Sequence, residues 1–445
     1  MTQEAVAPPE IMESAYGATG PRRRAAEVAG IVSLEVKELF PDIPREIYLQ
    51  GDDLSAVRQA TERALAGIDM SMIRPRDTIN LLCSEHGFAI LGGGPYVEML
   101  KTTRDVVQER TGCENIRLRL ALGIGSKEAG EIIRHFELDE HFHRPIGIGP
   151  FDKGVAIETE IGTLYGLAKA YDADWFIHAH YDDPREVYLH RLICRPLKAF
   201  AMSYARLETR SVFHTSFGNR SANLVPRAIF DSPFIQDRYA FNCGLMTSPA
   251  GITGVDGDTD LYRFNRRLVM STLRSFGKLL RLFAEIDECI VVLDGGRWPF
   301  YIHAGGLTSG NLLFPQADSL DLDVVSFHEG AAGVFNQSIR ALIVNNAWMS
   351  GFRMMAAAIP TIAVGDGFFM PNAVIAESID KALRFAGLMA RTDKIIVFDG
   401  SYGSINLSPS MAELLLEKAP EISRNVDEVL LPKWLRQRGI DPEAG

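Results

Sequence analysis

From about residue 29 the chain repeats one rhythm. A short β-branched or aliphatic run is followed by a turn of Gly, Asp or Asn, then by a longer segment with apolar residues at helical spacing. The apolar runs fall at residues 78–83, 116–122, 155–160, 175–179, 290–293, 324–327, 341–344, 361–364 and 394–398. Most are too short and too continuously apolar for strands with one face in water, and they suit parallel strands buried on both faces. Helical spacing predicts helices over 54–68, 96–108, 127–136, 261–286, 373–385 and 411–418. Alternating strands and helices imply an α/β fold. The expected architecture is two α/β lobes with mostly parallel sheets and a cleft between them. Residues 231–260, rich in Pro, Gly and Asp, break the rhythm and mark the expected interdomain region. The predicted division is a flexible N-terminal tail at 1–28, an N-terminal domain at 29–230, a C-terminal domain at 231–425 and a C-terminal tail at 426–445.

Composition narrows the class. A length of 445 residues exceeds one ordinary core, and 47% hydrophobic with 23% charged residues is ordinary for a folded protein. A net charge of -11 repels a phosphate backbone and argues against nucleic acid. Apolar stretches such as 354–360 are far shorter than the ~20 residues of a membrane span. The first twenty positions lack the basic and apolar regions of a secretory signal. Five cysteines, Cys83, Cys113, Cys194, Cys243 and Cys289, show no CxxC spacing and suit a reducing compartment. The expected setting is cytoplasmic.

Several familiar motifs fail. The chain has no GxxxxGK[ST] phosphate loop, no GxSxG elbow and no HExxH zinc helix. Asp256, Asp258 and Asp260 begin like a calcium loop, but Leu261 and Arg267 stand where Gly and the bidentate Glu are needed. Gly123-Ile124-Gly125-Ser126 follows an apolar run and opens a helical segment, so the amides of Gly123, Gly125 and Ser126 are candidates for holding an anion.

The chemistry concentrates between Asp174 and His214. His178 and His180 end an apolar run at spacing two, on one face of an extended strand, where they can share a metal or act as acid and base. A dense basic set follows: Arg185, Arg191, Arg195, Lys198, Arg206 and Arg210. In an acidic protein such a set suits an anionic ligand, because guanidinium forks bind carboxylates and phosphates. A salt-bridged surface helix, with Glu186 and Glu208 as counterions, would account for it equally. In the second half, Arg297 and His303 follow another apolar run; Arg297 is a further candidate for the substrate.

The run DADWFIHAHYDDPR, with Lys198 and then His214 sixteen residues later, resembles the lactate racemase family over roughly residues 70 to 225. Ser84-Glu85-His86-Gly87 falls where that family has an Asp-His-Thr-Arg turn, Gly123–Ser126 where it has an Ala-Thr-Gly-Thr-His loop, and Gly218-Asn219 resembles the family's Gly-Asn element. The resemblance implies a racemase or epimerase acting on a small 2-hydroxy acid or sugar acid by reversible hydride transfer to a nickel-pincer nucleotide. In it, Lys198 would anchor the cofactor covalently and His214 would ligate nickel, to which an imidazole is well suited. Beside these, His178, His180 and Arg185 are the catalytic candidates, and Arg195, Arg206 and Arg297 the candidates for holding the substrate.

The chain also departs from that family. Gly125 and Arg185 stand at the two histidines that exchange the hydroxyl proton, and an arginine does not act as a general base. Phe88 replaces the arginine of the Asp-His-Thr-Arg turn. The expectation is therefore a divergent member. Two alternatives stand beside it: a nickel-independent oxidoreductase or lyase on an anionic substrate, and a non-catalytic anion-binding relative. The expected partner is a small anionic hydroxy acid, with room for a homo-oligomer and with neither nucleic acid nor membrane.

Overall fold

The computed structural model describes residues 24–123, 128–182, 195–216, 223–294, 312, 318, 320–324, 336–345, 359–364 and 373–442. Among them the strands are β1 (Val32–Glu35), β2 (Thr78–Ser84), β3 (Asn115–Ala121), β4 (His143–Ile148), β5 (Gly154–Thr159), β6 (Gly162–Leu167), β7 (Trp175–Tyr181), β8 (Tyr239–Ser248), β9 (Gly251–Asp258), β10 (Cys289–Asp294), β11 (Ile339–Asn345), β12 (Thr361–Val364), β13 (Val374–Ala376), β14 (Ile395–Phe398) and β15 (Ser404–Leu407). The fold is α/β, with two mostly parallel sheets, as the alternation predicts. No helix among the described residues is long and apolar enough to cross a membrane.

The chain divides into two compact units. The first comprises Glu46–Thr247 and Ile252–Val269. Its six-stranded sheet has the order β4-β3-β2-β7-β8-β9 and is parallel from β4 through β8. Strands β2 and β7 carry nearly unbroken burial, as expected of central parallel strands covered on both faces. The second unit holds residues 24–45, 248–251 and the described residues from 270 on. Its seven-stranded sheet, β1-β15-β14-β10-β11-β12-β13, is parallel from β14 to β13 and antiparallel at the β15 and β1 edge.

Three sequence expectations need correction, and a fourth falls outside the described residues. Residues 231–260 are not a linker: β8 is almost wholly buried inside the first sheet, and the helix Leu261–Ala284 runs past the division at residue 269. The Gly and Asp residues there serve the turn and edge of β9. Run 155–160 forms β5, which pairs only with β6, antiparallel, through a turn in which Gly162 takes φ +112°. Segment 373–385 is split, because Ser378 caps a helix that begins at Ile379 by accepting from the Lys381 amide, leaving β13 before it. Run 324–327 lies beyond the described residues after Val324.

The expected tails are also structured where they are described. Ala25 and Val28 are buried, and the Ala25 amide donates to Asp294 Oδ2 at 2.6 Å. At the other end Trp434 is fully buried. Its ring covers Gly277, where a Cβ would sit 2.7 Å from the indole. Buried Lys278 bridges Asp42 and Asp427, joining segments from both ends of the sequence. Trp434→Ala should therefore destabilise the second unit by about 3–5 kcal/mol. Denaturant unfolding followed on a probe in that unit checks this; an unchanged midpoint would make residues 431–437 peripheral.

Candidate functional site

The first sheet reverses its winding between β2 and β7. The chain runs outward from β2 to β3 and β4, then returns across the β5–β6 hairpin to β7 on the other side of β2. At such a switch point the connections leave in opposite directions and open a crevice at the carboxyl ends of the strands. A cavity of about 260 Å³ lies there. It is lined by the ends of β2, β3 and β7, by the segment from Arg195 to Tyr204, and by Arg210.

His178 and His180 project from β7 on one face, with ring centroids 5.7 Å apart. Both line the cavity, and His178 is only 2% exposed. The strand is held in place by Tyr96, whose hydroxyl donates 2.9 Å to the Ala179 carbonyl between the two histidines. The Tyr96 ring lies where any side chain at Gly87 would go, so this turn requires glycine. Phe88, at the position of the family arginine, packs edge-on against Tyr96 at 5.3 Å and belongs to the core.

The protonation of His178 is set by two neighbours. Its Nδ1 is 2.8 Å from the Tyr204 hydroxyl, which itself donates to the Leu82 carbonyl at 3.2 Å. The hydroxyl has one proton and can give it to Leu82 or to Nδ1, so the Leu82 bond goes with a ring that donates from Nδ1 and carries its lone pair on Nε2, and the Nδ1 bond goes with the other tautomer. Desolvation lowers the His178 pKa to about 3; the Pro196 carbonyl opposes the shift slightly but makes no well-formed hydrogen bond to Nε2. The imidazole is thus neutral at physiological pH. Burial holds the Tyr204 phenol well above its usual range, so it stays protonated.

Lys198 opens the short helix Lys198–Ala201 and lines the same cavity. The other expected residues divide differently. Arg195 lines the cavity, but it forms a fully buried ion pair with Asp182, and its charge is spent there rather than on a substrate. Arg206 grips the neighbouring carboxylate of Glu208 with Nε and Nη2, both at 3.0 Å, in a partly exposed pair away from the cavity lining. The Gly123 amide donates 2.5 Å to Glu85 Oε1, so a protein carboxylate already takes the place of the expected anion. His214 is exposed on the helix Leu207–Ser216, and its Nδ1 folds back 2.9 Å onto the Arg210 carbonyl one turn earlier. It does not line the cavity. Arg185, Gly125, Ser126 and Arg297 lie outside the described residues.

Tyr204, Glu85 and Arg210 are site residues that the sequence did not single out. Arg210 was visible only as one member of a basic set, and Glu85 only within the Ser84–Gly87 stretch. Among the described residues no group of three or more His, Cys, Asp or Glu side chains is arranged to hold a metal ion. For a nickel-pincer nucleotide the fit is divided: an amine is available in the cavity wall at Lys198, whereas the expected nickel ligand, His214, is outside it. No protein-family model matches the chain, and no curated protein is similar to it.

Proposed function

We propose that the protein is an enzyme, a lactate-racemase-like isomerase that racemises or epimerises a small 2-hydroxy acid or sugar acid in this cavity. The observation that carries the reading is one cavity, at a switch point, lined by a neutral buried imidazole, a lysine and an arginine. His178 and His180, which line the cavity, would exchange the proton of the substrate hydroxyl in two orientations; Nε2 of each is shielded, so the substrate would have to part the cavity wall to reach it. Cationic groups would hold the carboxylate. In the family that the sequence resembles the hydride acceptor is a nickel-pincer nucleotide; Lys198 in the cavity wall would be its point of attachment, while His214 lies outside the cavity lining. The buried free thiols Cys83, Cys113, Cys243 and Cys289 agree with a reducing, cytoplasmic setting.

The position of His214 favours one alternative, an oxidoreductase or lyase on the same anionic substrate without nickel. The two readings separate by experiment. Protein from a host that makes the cofactor is weighed intact, assayed for nickel, and incubated in D2O with a panel of 2-hydroxy acids and sugar acids, followed by chiral analysis. The expected result is a mass increase located at Lys198 and inversion at C2 without solvent deuterium. Unmodified Lys198 with no inversion of any acid in the panel sinks the isomerase. His214→Ala should leave nickel content unchanged.

A further inference from the structure

We infer that Arg210 is the receptor for the carboxylate of a small anion bound in this cavity. The inference rests on the cavity being the ligand site, and it holds whatever reaction follows.

Arg210 is 7% exposed and lines the cavity. Its guanidinium is fixed by three main-chain carbonyls: Nε donates to Ala205 at 2.9 Å, and Nη2 to Leu122 at 3.2 Å and to Ser203 at 3.5 Å. All three acceptors are neutral. No described carboxylate lies within ion-pair distance of Arg210, whereas Arg195 and Arg206 each have one. Nη1 makes no hydrogen bond with the protein, yet it is not among the sealed-off polar atoms. The structure therefore buries a permanent cation, spends none of its charge on a protein anion, and leaves one donor nitrogen for the cavity.

Burying a charge in this way is costly unless an opposite charge arrives. Desolvation accordingly pushes the Arg210 pKa down, and only the more distant Glu85 carboxylate pulls it back up. Glu85 is itself held by the Gly123 amide. Among the described arginines that line the cavity, Arg195 is paired with Asp182, and Arg210 is held by carbonyls alone. Because the three carbonyls hold the guanidinium in position beforehand, little side-chain freedom is lost when an anion binds. The recognised chemistry is a compact carboxylate, of a size that fits about 260 Å³.

Isothermal titration of the full chain with oxalate and with lactate tests the assignment. Wild type should bind, Arg210→Gln should bind about 10- to 100-fold more weakly, and Arg210→Lys should lie between them. Thermal melts keep the reading honest, since the carbonyl bonds of Arg210 also support the fold; Glu85→Gln, whose amide oxygen can still accept from Gly123 and so keep the Leu122–Gly123 peptide in place, should tighten oxalate binding in protein that melts as wild type does. Arg206→Gln should change nothing. A folded Arg210→Gln with wild-type affinity, or a Glu85→Gln that binds no better, overturns the inference. The two proposals fail separately. Turnover with an unchanged KM in Arg210→Gln would sink this assignment and spare the isomerase; Arg210-dependent oxalate binding without turnover of any acid would do the reverse.

Discussion

Asp182→Asn is expected to destabilise the first unit by about 3–5 kcal/mol, the usual cost of leaving one member of a buried ion pair without its partner. Both side chains of the Asp182–Arg195 pair are fully shielded. The surroundings are already committed: the Asp182 amide donates 2.8 Å to the Leu245 carbonyl, and the Arg195 amide donates 3.0 Å to Asn265 Oδ1. Asparagine keeps the shape and removes the charge, so the guanidinium loses the carboxylate it is buried against. The pair fastens the end of β7 to the start of the segment that carries Lys198, and its loss should also separate the lysine from the histidines. Denaturant unfolding of the wild type, Asp182→Asn, Arg195→Met and the double variant Asp182→Leu/Arg195→Met checks the point. The double variant should recover most of the loss, because apolar replacements of a buried pair are often neutral. A loss under ~1 kcal/mol in Asp182→Asn would mean that water or another anion reaches Arg195.

The largest effect on turnover is expected at His178. His178→Gln should lower kcat by about 10²- to 10⁴-fold, the range for removing a general base. Tyr204→Phe should cost less, because it frees the ring to change tautomer without removing it. The pH dependence has a definite sign. The folded pKa is about 3, against an ordinary value of 6.5. Between those values the unfolded chain carries a proton that the folded chain refuses, so stability is lost as pH falls through this window. His178→Gln removes that loss, and its stability relative to wild type should improve from pH 7 to pH 4. In the same range kcat should show no acid limb from His178, since the ring is already neutral. A kcat that falls with an apparent pKa near 6 and loses that limb in His178→Gln would place a solvated, protonatable imidazole there instead.

The core of the first sheet was legible because β2, β3 and β7 are mostly aliphatic or aromatic, although Arg117 and Arg119 interrupt β3 and His178 and His180 interrupt β7. His178 and His180 were legible as the end of such a run, and Lys198 as a member of the basic set with its spacing to His214. The assignments that failed depend on pairing. Nothing in the order of residues says that Arg195 is spent on Asp182, that Arg206 closes on Glu208, or that Gly123 gives its amide to Glu85. Arg210 became distinctive only once those pairs were known, because its importance lies in having no anion. His214 kept the right spacing from Lys198, but its ring turns back along its own helix. The boundary near residue 231 failed because Gly, Pro and Asp mark a sharp turn as readily as a linker. The four-residue β1 was invisible because its partner, β15, lies more than 360 positions away in the sequence.

That β1–β15 pairing bears on the order in which the two units arise during synthesis. Every strand of the first unit has emerged once β9 ends at Asp258, so the sheet that carries the cavity can close while the rest of the chain is still being made. The second unit cannot. Val32–Glu35 must wait for Ser404–Leu407, and until then its edge has no neighbour. An early fragment of this chain therefore carries a finished pocket and an unpaired β1, and the ribosome has to pass Leu407 before that strand is paired.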